Sequence, residues 1–290
     1  MHLKTILKLH KKFILCLVVL YITSCKQEDD PIDPNPSEYT FSDIEEMPID
    51  QNQVLENWDS TGWGVYEDII FNGTNILYNI EHDDNTFISK TLKTEIEGGD
   101  SYNNVFFTNT VAKKWEDLKW PFKPTQSFTY SLNFYPEVNV NCSISNLSEV
   151  EGLEFTMQHV ITPNSWGWGI QWSKTNVWSY WNDEKINGSP IGWENINSIN
   201  TCVIPNQWNS IIINGTTTDN SLTYNSIEIN SEVFELNILL NTVTVPTGWS
   251  ENFIQVGFQI NGNDAISTDH NHGVDPVTVF LDNLNLKITN

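Results

Sequence analysis

The chain has 290 residues, with 37 acidic side chains against 14 basic ones, a formal net charge of −23 and no arginine. Such a surface repels nucleic-acid phosphates, anionic lipid headgroups and polyuronates, and it lacks the guanidinium fork that grips carboxylate or sulfate with two prongs. At 39% hydrophobic and 12% aromatic it still holds enough apolar material for a sizeable core, so a disordered chain is excluded and a neutral or cationic ligand is favoured.

The chain begins with a basic stretch, Lys4, Lys8, Lys11 and Lys12, followed by an apolar run over residues 13–21. A lasting transmembrane helix needs roughly 20 apolar residues, which leaves an uncleaved anchor as the weaker alternative to a cleaved signal. The run closes on Ile22-Thr23-Ser24-Cys25. This resembles a bacterial lipoprotein signal with its lipobox, which implies removal of residues 1–24 and lipidation of Cys25. Lys26-Gln27-Glu28-Asp29-Asp30 and then Pro31, Asp33, Pro34 and Pro36 follow, a composition that cannot bury a core. Residues 25–40 therefore read as an extended tether. Its acidic start is similar to the surface-export signal of Bacteroidetes-type lipoproteins, implying an outer-membrane protein that faces the cell exterior and touches the membrane only through its lipid. The alternative is a plain spacer facing the periplasm. Loss of the signal would leave 10 lysines against 37 acids. Of the remaining cysteines, Cys142 and Cys202 stand in a compartment that permits a disulfide, though their spacing does not establish one.

Residues 41–290 form one domain with no second linker, no repeat and no helical periodicity. Short runs between Asn, Gly, Pro and Asp turns predict strands over 127–135, 152–161, 166–172, 208–213, 222–229, 233–240, 253–260 and 277–288. Less regular runs lie at 76–80, 87–92 and 105–107. Many short strands with regular turn signals predict an all-β, antiparallel two-sheet sandwich. In the last strand Val277, Val279 and Leu281 change parity to Leu284, Leu286 and Ile288, which predicts a bulge at Asp282–Asn283.

Six of the 12 tryptophans fall between Trp166 and Trp193. Trp166, Trp168, Ile170 and Trp172 share one strand face, as core residues would, with Leu153, Phe155 and Met157 beside them. The other faces carry Glu154, Thr156 and Gln158, then Gly167, Gly169 and Gln171, then Gln255, Gly257 and Gln259. Glycines let a ligand approach a sheet closely, and amides both donate to and accept from hydroxyls. If these strands adjoin in one curved sheet, Gln158, Gln171, Gln255 and Gln259 line a concave groove for a neutral polysaccharide or oligosaccharide. Trp178, Trp181 and Trp193, near turns, are the rings expected on its rim. The plainer alternative is a wet outer sheet face.

Gly152-Leu-Glu-Phe, Trp168-Gly-Ile-Gln-Trp172, Trp178-x-x-Trp181-Asn182, Cys202, Trp208 and Val256-Gly-Phe-Gln-Ile260 together resemble secreted bacterial concanavalin A-like, lectin-type jelly-roll domains. The resemblance spans about residues 128–288 and implies a glycan-oriented jelly roll. It departs at Trp172, where the family would place a cysteine, so a bridge from that position to Cys202 is impossible here.

Catalysis on this scaffold needs more than the chain offers. Laminarinase-type hydrolases carry Glu-x-Asp-x-(x)-Glu on one strand face; the similar stretch here is Glu154-Phe-Thr156-Met-Gln158, with one carboxylate left for a reaction that needs two. Jelly-roll polysaccharide lyases use a Gln-x-His element, whereas Gln158 and His159 are adjacent and face opposite ways; Tyr180 is the candidate proton donor in that reading. The expectation is a non-catalytic glycan binder accessory to polysaccharide uptake. A lyase or hydrolase on the same fold, or a structural or adhesive surface lipoprotein, are the alternatives. Structural calcium is the candidate cofactor, through Asp282 in Phe280-Leu-Asp-Asn-Leu284, which is similar to the last strand of many carbohydrate-binding jelly rolls. Asp264, Asp269, His270, His272 and Asp275 crowd another loop, where a solvated turn is the competing reading.

Overall fold

A computed structural model describes residues 38–49, 62–69, 77–97, 104–113, 126–137, 150–161, 164–186, 189–244, 253–262 and 277–289. The chain divides into Met1–Pro36 and Ser37–Asn290, and every described residue belongs to the second unit. Cys25, Cys142 and the Asp/His loop at 264–275 lie outside the described residues.

Sixteen strands run through the described residues in chain order. The first five are β1 (Glu38–Phe41), β2 (Gly62–Ile69), β3 (Leu77–Asp83), β4 (Thr91–Glu97) and β5 (Asn104–Lys113). The middle of the chain supplies β6 (Gln126–Glu137), β7 (Val150–Ile161), β8 (Asn164–Ser173), β9 (Trp178–Ile186) and β10 (Ser189–Asn195). The remainder are β11 (Asn209–Thr217), β12 (Ser221–Ile229), β13 (Glu232–Asn241), β14 (Val243–Thr244), β15 (Phe253–Gly262) and β16 (Val277–Thr289). They form two antiparallel sheets, the expected β-sandwich. One has the order β13-β12-β11-β6-β16-β4-β3 with β1 also on β16; the other runs β10-β9-β8-β7-β15-β5-β2 with β14 on β8.

Alternation dictates which faces meet. In β6, Phe128, Tyr130, Leu132 and Phe134 are buried while the residues between them are more exposed. Leu153, Phe155 and Met157 of β7, and Ile254, Val256, Phe258 and Ile260 of β15, are likewise buried. Phe155 joins the sheets: its ring centroid lies 5.0 Å from Phe134 and 5.6 Å from Phe258. Trp166, Ile170 and Trp172 belong to this core as expected; the side chain of Trp168 lies outside the described residues.

The predicted bulge is present. Register on β6 shifts between Asp282 and Asn285, and Asn283 takes a left-handed φ of 52°. The backbone N–H groups freed there are answered by Glu45, from the 3-10 turn Ile44–Glu46, whose carboxylate accepts from Asn283 N at 2.8 Å and Leu284 N at 2.9 Å. Burial pushes the Glu45 carboxyl up to about 7. Trp63 completes this clip by donating from Nε1 to the Ile44 carbonyl at 2.9 Å.

Several boundaries differ from the sequence reading. β1 starts at Glu38, within the stretch read as tether. β4 starts at Thr91 rather than near Phe87, because Phe87 leaves the strand to pack at 4.8 Å on Trp208 and 5.1 Å on Phe280. Trp208, expected inside β11, stands just before it. The tryptophans placed near turns lie within strands: Trp178 and Trp181 in β9, Trp193 in β10.

Candidate functional site

The three polar rows do adjoin. On β15 and β7, Gln255 pairs with Gln158, Gly257 with Thr156 and Gln259 with Glu154. On β7 and β8, Glu154 pairs with Gln171, Thr156 with Gly169 and Gln158 with Gly167. Side chains opposite one another across a ladder share a face, so these rows form one patch on the side of the sheet away from the core. A cleft of about 340 Å³ opens on this patch. Gln158, Gln255, Gln259, Trp181 and Trp193 line it, together with Glu154, Asn104, Phe106 and Asp183.

Two aromatic walls flank the floor. From β5, the Phe106 ring lies across Gly257: a β-carbon built there would stand 2.2 Å from the ring. From β10, Trp193 lies over Gly169, 3.3 Å from where a β-carbon would be, and meets Trp181 edge-on at 5.3 Å between centroids. Neighbouring strands are ~4.8 Å apart, so rings overlying β15 and β8 are separated by about 10 Å. A saturated ring in van der Waals contact with both walls needs roughly 7–8 Å, and the gap admits one.

The floor is wired by hydrogen bonds. Glu154 Oε1 accepts from Asn261 Nδ2 at 2.6 Å and from Gln171 Nε2 at 2.9 Å, and Asn261 Oδ1 accepts from Gln259 Nε2 at 2.8 Å. Beside Trp181, Asp183 Oδ1 accepts from the indole Nε1. Asn104 Oδ1 and Thr156 Oγ1, both at the cleft, are buried atoms with no hydrogen-bond partner among the described residues. From the opposite sheet, the hydroxyls of Tyr130 and Tyr224 donate to the carbonyls of Gly257 and Gly169, each at 3.4 Å. Burial pushes both phenols up, so they remain donors at any ordinary pH.

Of the expected groove residues, Gln158, Gln255 and Gln259 line the cleft, while Gln171 is not among its lining residues and donates to Glu154. The glutamine face of β15 is not open as expected. Gln255 and Gln259 are only 4% and 6% exposed, because Phe106 crosses the glycine between them. Trp181 and Trp193 are at the rim, but Trp178 is not. It is fully buried, stacked against Phe155 at 6.4 Å, and donates from Nε1 to the Thr201 carbonyl at 2.7 Å. Parity explains this: Trp178 and Trp181 are three residues apart on one strand and must face opposite ways. The same parity could have found Asp183, two residues from Trp181. Phe106 and Asn104 carried no such signal, since β5 was legible only as a short apolar run.

Asp282 stands at the bulge of β16. Its carboxylate accepts from Ser89 Oγ and from the Asn283 backbone N–H, each at 2.9 Å. No group of three or more His, Cys, Asp or Glu side chains gathers as a metal would need among the described residues. Cys202 is a free thiol.

The residues that suggested lyase chemistry are turned away from the cleft. His159 is buried among core residues, where desolvation brings its pKa down to about 3. Tyr180, on the core side of β9, donates to Glu194 Oε2 at 2.8 Å; desolvation first, and then that carboxylate, push it up to about 12. The two carboxylates at the cleft, Glu154 and Asp183, sit two strands apart and offset along them. Asp183 Oδ2 stands by Gly167 while Glu154 faces Gln171, four residues along β8, so the carboxyl groups are roughly 13 Å apart by strand rise, beyond the separation a hydrolase pair uses.

No known protein family matches the sequence, and neither does any curated protein. Among solved structures the chain is similar to a sialidase, at 6% identity and a TM-score of 0.38, over 77% of this chain but only 16% of that one. It is also similar to an endo-beta-1,4-glucuronan lyase from the fungus Trichoderma reesei, at 11% identity and a TM-score of 0.40, over 76% of this chain and 93% of that one. A third is lectin I from Ulex europaeus in complex with the methyl glycoside of alpha-L-fucose, at 13% identity and a TM-score of 0.40, over 88% and 99% of the two chains.

Proposed function

We propose that this chain is a non-catalytic glycan-binding protein that seats an uncharged sugar ring in the cleft between Phe106 and the Trp181–Trp193 pair. The observation that carries this reading is the pairing of aromatic walls with a hydrogen-bonding floor. Sugar C–H faces stack on such rings while their hydroxyls find amides and carboxylates below. With Glu154 and Asp183 at the cleft and no Lys, Arg or His among the described residues of its lining, a uronate or sulfated sugar would enter against like charge. A glycan-degrading enzyme is the second reading. It is disfavoured by the inward placement of His159 and Tyr180 and by the separation of the two carboxylates.

The rest of the proposal concerns place. The lipobox-like segment and acidic tether support a lipid on Cys25 and display on the outer membrane, with polysaccharide as partner and nucleic acid excluded by charge. A glycan array, followed by product analysis on every bound sugar, separates binder from enzyme. Binding without product formation fits the proposal, and depolymerisation of a bound glycan overturns it.

A further inference from the structure

The floor of the cleft has a direction. Glu154 Oε1 accepts from Asn261 Nδ2 and from Gln171 Nε2, so both amides present their NH₂ groups to it. That choice propagates. With Nδ2 of Asn261 turned to Glu154, its Oδ1 faces Gln259, which must answer with its own NH₂. The amide donors are thus drawn down into the network, and at the cleft the carbonyl oxygen of Gln259 is left over as an acceptor. Asn104 adds a further one: it is nine-tenths buried at the cleft, and its Oδ1 has no partner among the described residues. Asp183 spends Oδ1 on Trp181, while Oδ2 lies 3.8 Å from where a β-carbon of Gly167 would stand, over the floor.

We infer that Glu154 is a specificity-determining residue that polarises these amides, making the cleft a reader of hydrogen-bond donors. The sugar it takes offers hydroxyl or ammonium hydrogens and carries no carboxylate or sulfate on the seated ring. This rests on the glycan-binding reading and adds to it the residue and the proton order that enforce the choice. Net charge alone would repel anions at any distance and would be screened by salt; the acceptors of Gln259 and Asn104 reject them at contact, where an unpaired acceptor facing another acceptor is costly. An amine in place of a hydroxyl gains a charge-assisted bond to Asp183 and the faces of the tryptophans.

Protein-observed NMR tests this with three matched probes on the wild-type chain and on Glu154→Gln: methyl glucoside, glucosamine and glucuronate, at 0.15 and 0.5 M salt. The expected result has the Trp181 and Trp193 indole signals moving with methyl glucoside and at least as strongly with glucosamine, and not with glucuronate at either salt concentration. In Glu154→Gln the amide chain is free to reverse, and the preference for methyl glucoside over glucuronate should narrow about tenfold. In the ligand-free wild type, the side-chain NH₂ protons of Asn261 should be protected from exchange, and that protection should fall in the variant. Wild-type protein that binds glucuronate as well as methyl glucoside overturns the inference while leaving glycan binding intact. Silence of the cleft with all three probes removes the glycan reading and the inference with it.

Discussion

The ring of Phe106 occupies the space above Gly257 that any other residue's β-carbon would fill, 2.2 Å from where that atom would stand. One wall of the cleft therefore depends on the absence of a single carbon two strands away from Gly169, over which Trp193 forms the other. Gly257→Ala should push Phe106 off the floor. The expected cost is about 1–3 kcal/mol, as for other overpacked sites, with glycan affinity falling in step. Denaturant unfolding and calorimetric titration of the same preparation check both. A variant of unchanged stability and affinity would mean that Phe106 is not a fixed wall.

Two tryptophans on adjoining strands, Trp178 of β9 and Trp193 of β10, should behave in opposite ways. Trp178→Ala removes a fully buried ring and a hydrogen bond, and should cost about 3–5 kcal/mol. Replacing Trp193, partly exposed at the rim, should cost far less stability and remove most of the binding. Thermal melts of the two variants side by side give the answer.

Gln259→Ala shows where the sequence reading and the structure part. An exposed groove glutamine would be lost at little cost. The structure buries it and makes it the donor to Asn261, so the substitution should destabilise by roughly 1–3 kcal/mol through an unsatisfied Oδ1.

That contrast marks how much of the site was legible. Alternation along β7, β8 and β15 was enough to assign Leu153, Phe155 and Ile170 to the core and Gln158, Gly169 and Gln255 to the other face, because a period of two is a local property. Adjacency of the three strands, a non-local fact, entered as a condition and is met. What local pattern could not supply was contact over the top of a strand. Phe106 arrives from β5 and Trp193 from β10, and it is they that turn a polar face into a cleft and bury its glutamines. Trp178 failed for a different reason: its neighbours were read as a turn, so parity was not applied to it.

The pH response should carry two opposed signatures. Glu45, raised from 4.5 to about 7 by burial, contributes stability that is fully present below pH 4.5 and is lost as pH rises through 7. His159, lowered from 6.5 to about 3, contributes stability present above pH 6.5 and lost progressively as pH falls toward 3. Between pH 4.5 and 6.5 the two slopes offset each other. In Glu45→Gln that compensation disappears, so its stability relative to wild type should fall by on the order of 3 kcal/mol between pH 8 and pH 4. Urea midpoints at half-unit pH steps measure this, and a pH-independent difference would rule out the titration of Glu45.

The proposed anchor rests on a single thiol. Cys25→Ala should abolish lipid attachment and leave soluble or unprocessed protein. Mass spectrometry of the membrane fraction should find the mature N-terminus at Cys25; a mature N-terminus elsewhere contradicts the lipoprotein reading.

The most direct measurement of the central claim is calorimetric titration of a neutral oligosaccharide identified by array, into wild type and into Trp193→Ala and Phe106→Ala. The account predicts saturable, salt-insensitive binding to wild type and a loss of about fivefold or more in each variant, since stacking platforms of this kind are worth ~1 kcal/mol or more per ring. Undiminished binding in both variants, or affinity that falls steeply with salt, would place the ligand elsewhere or make it charged, and would contradict it.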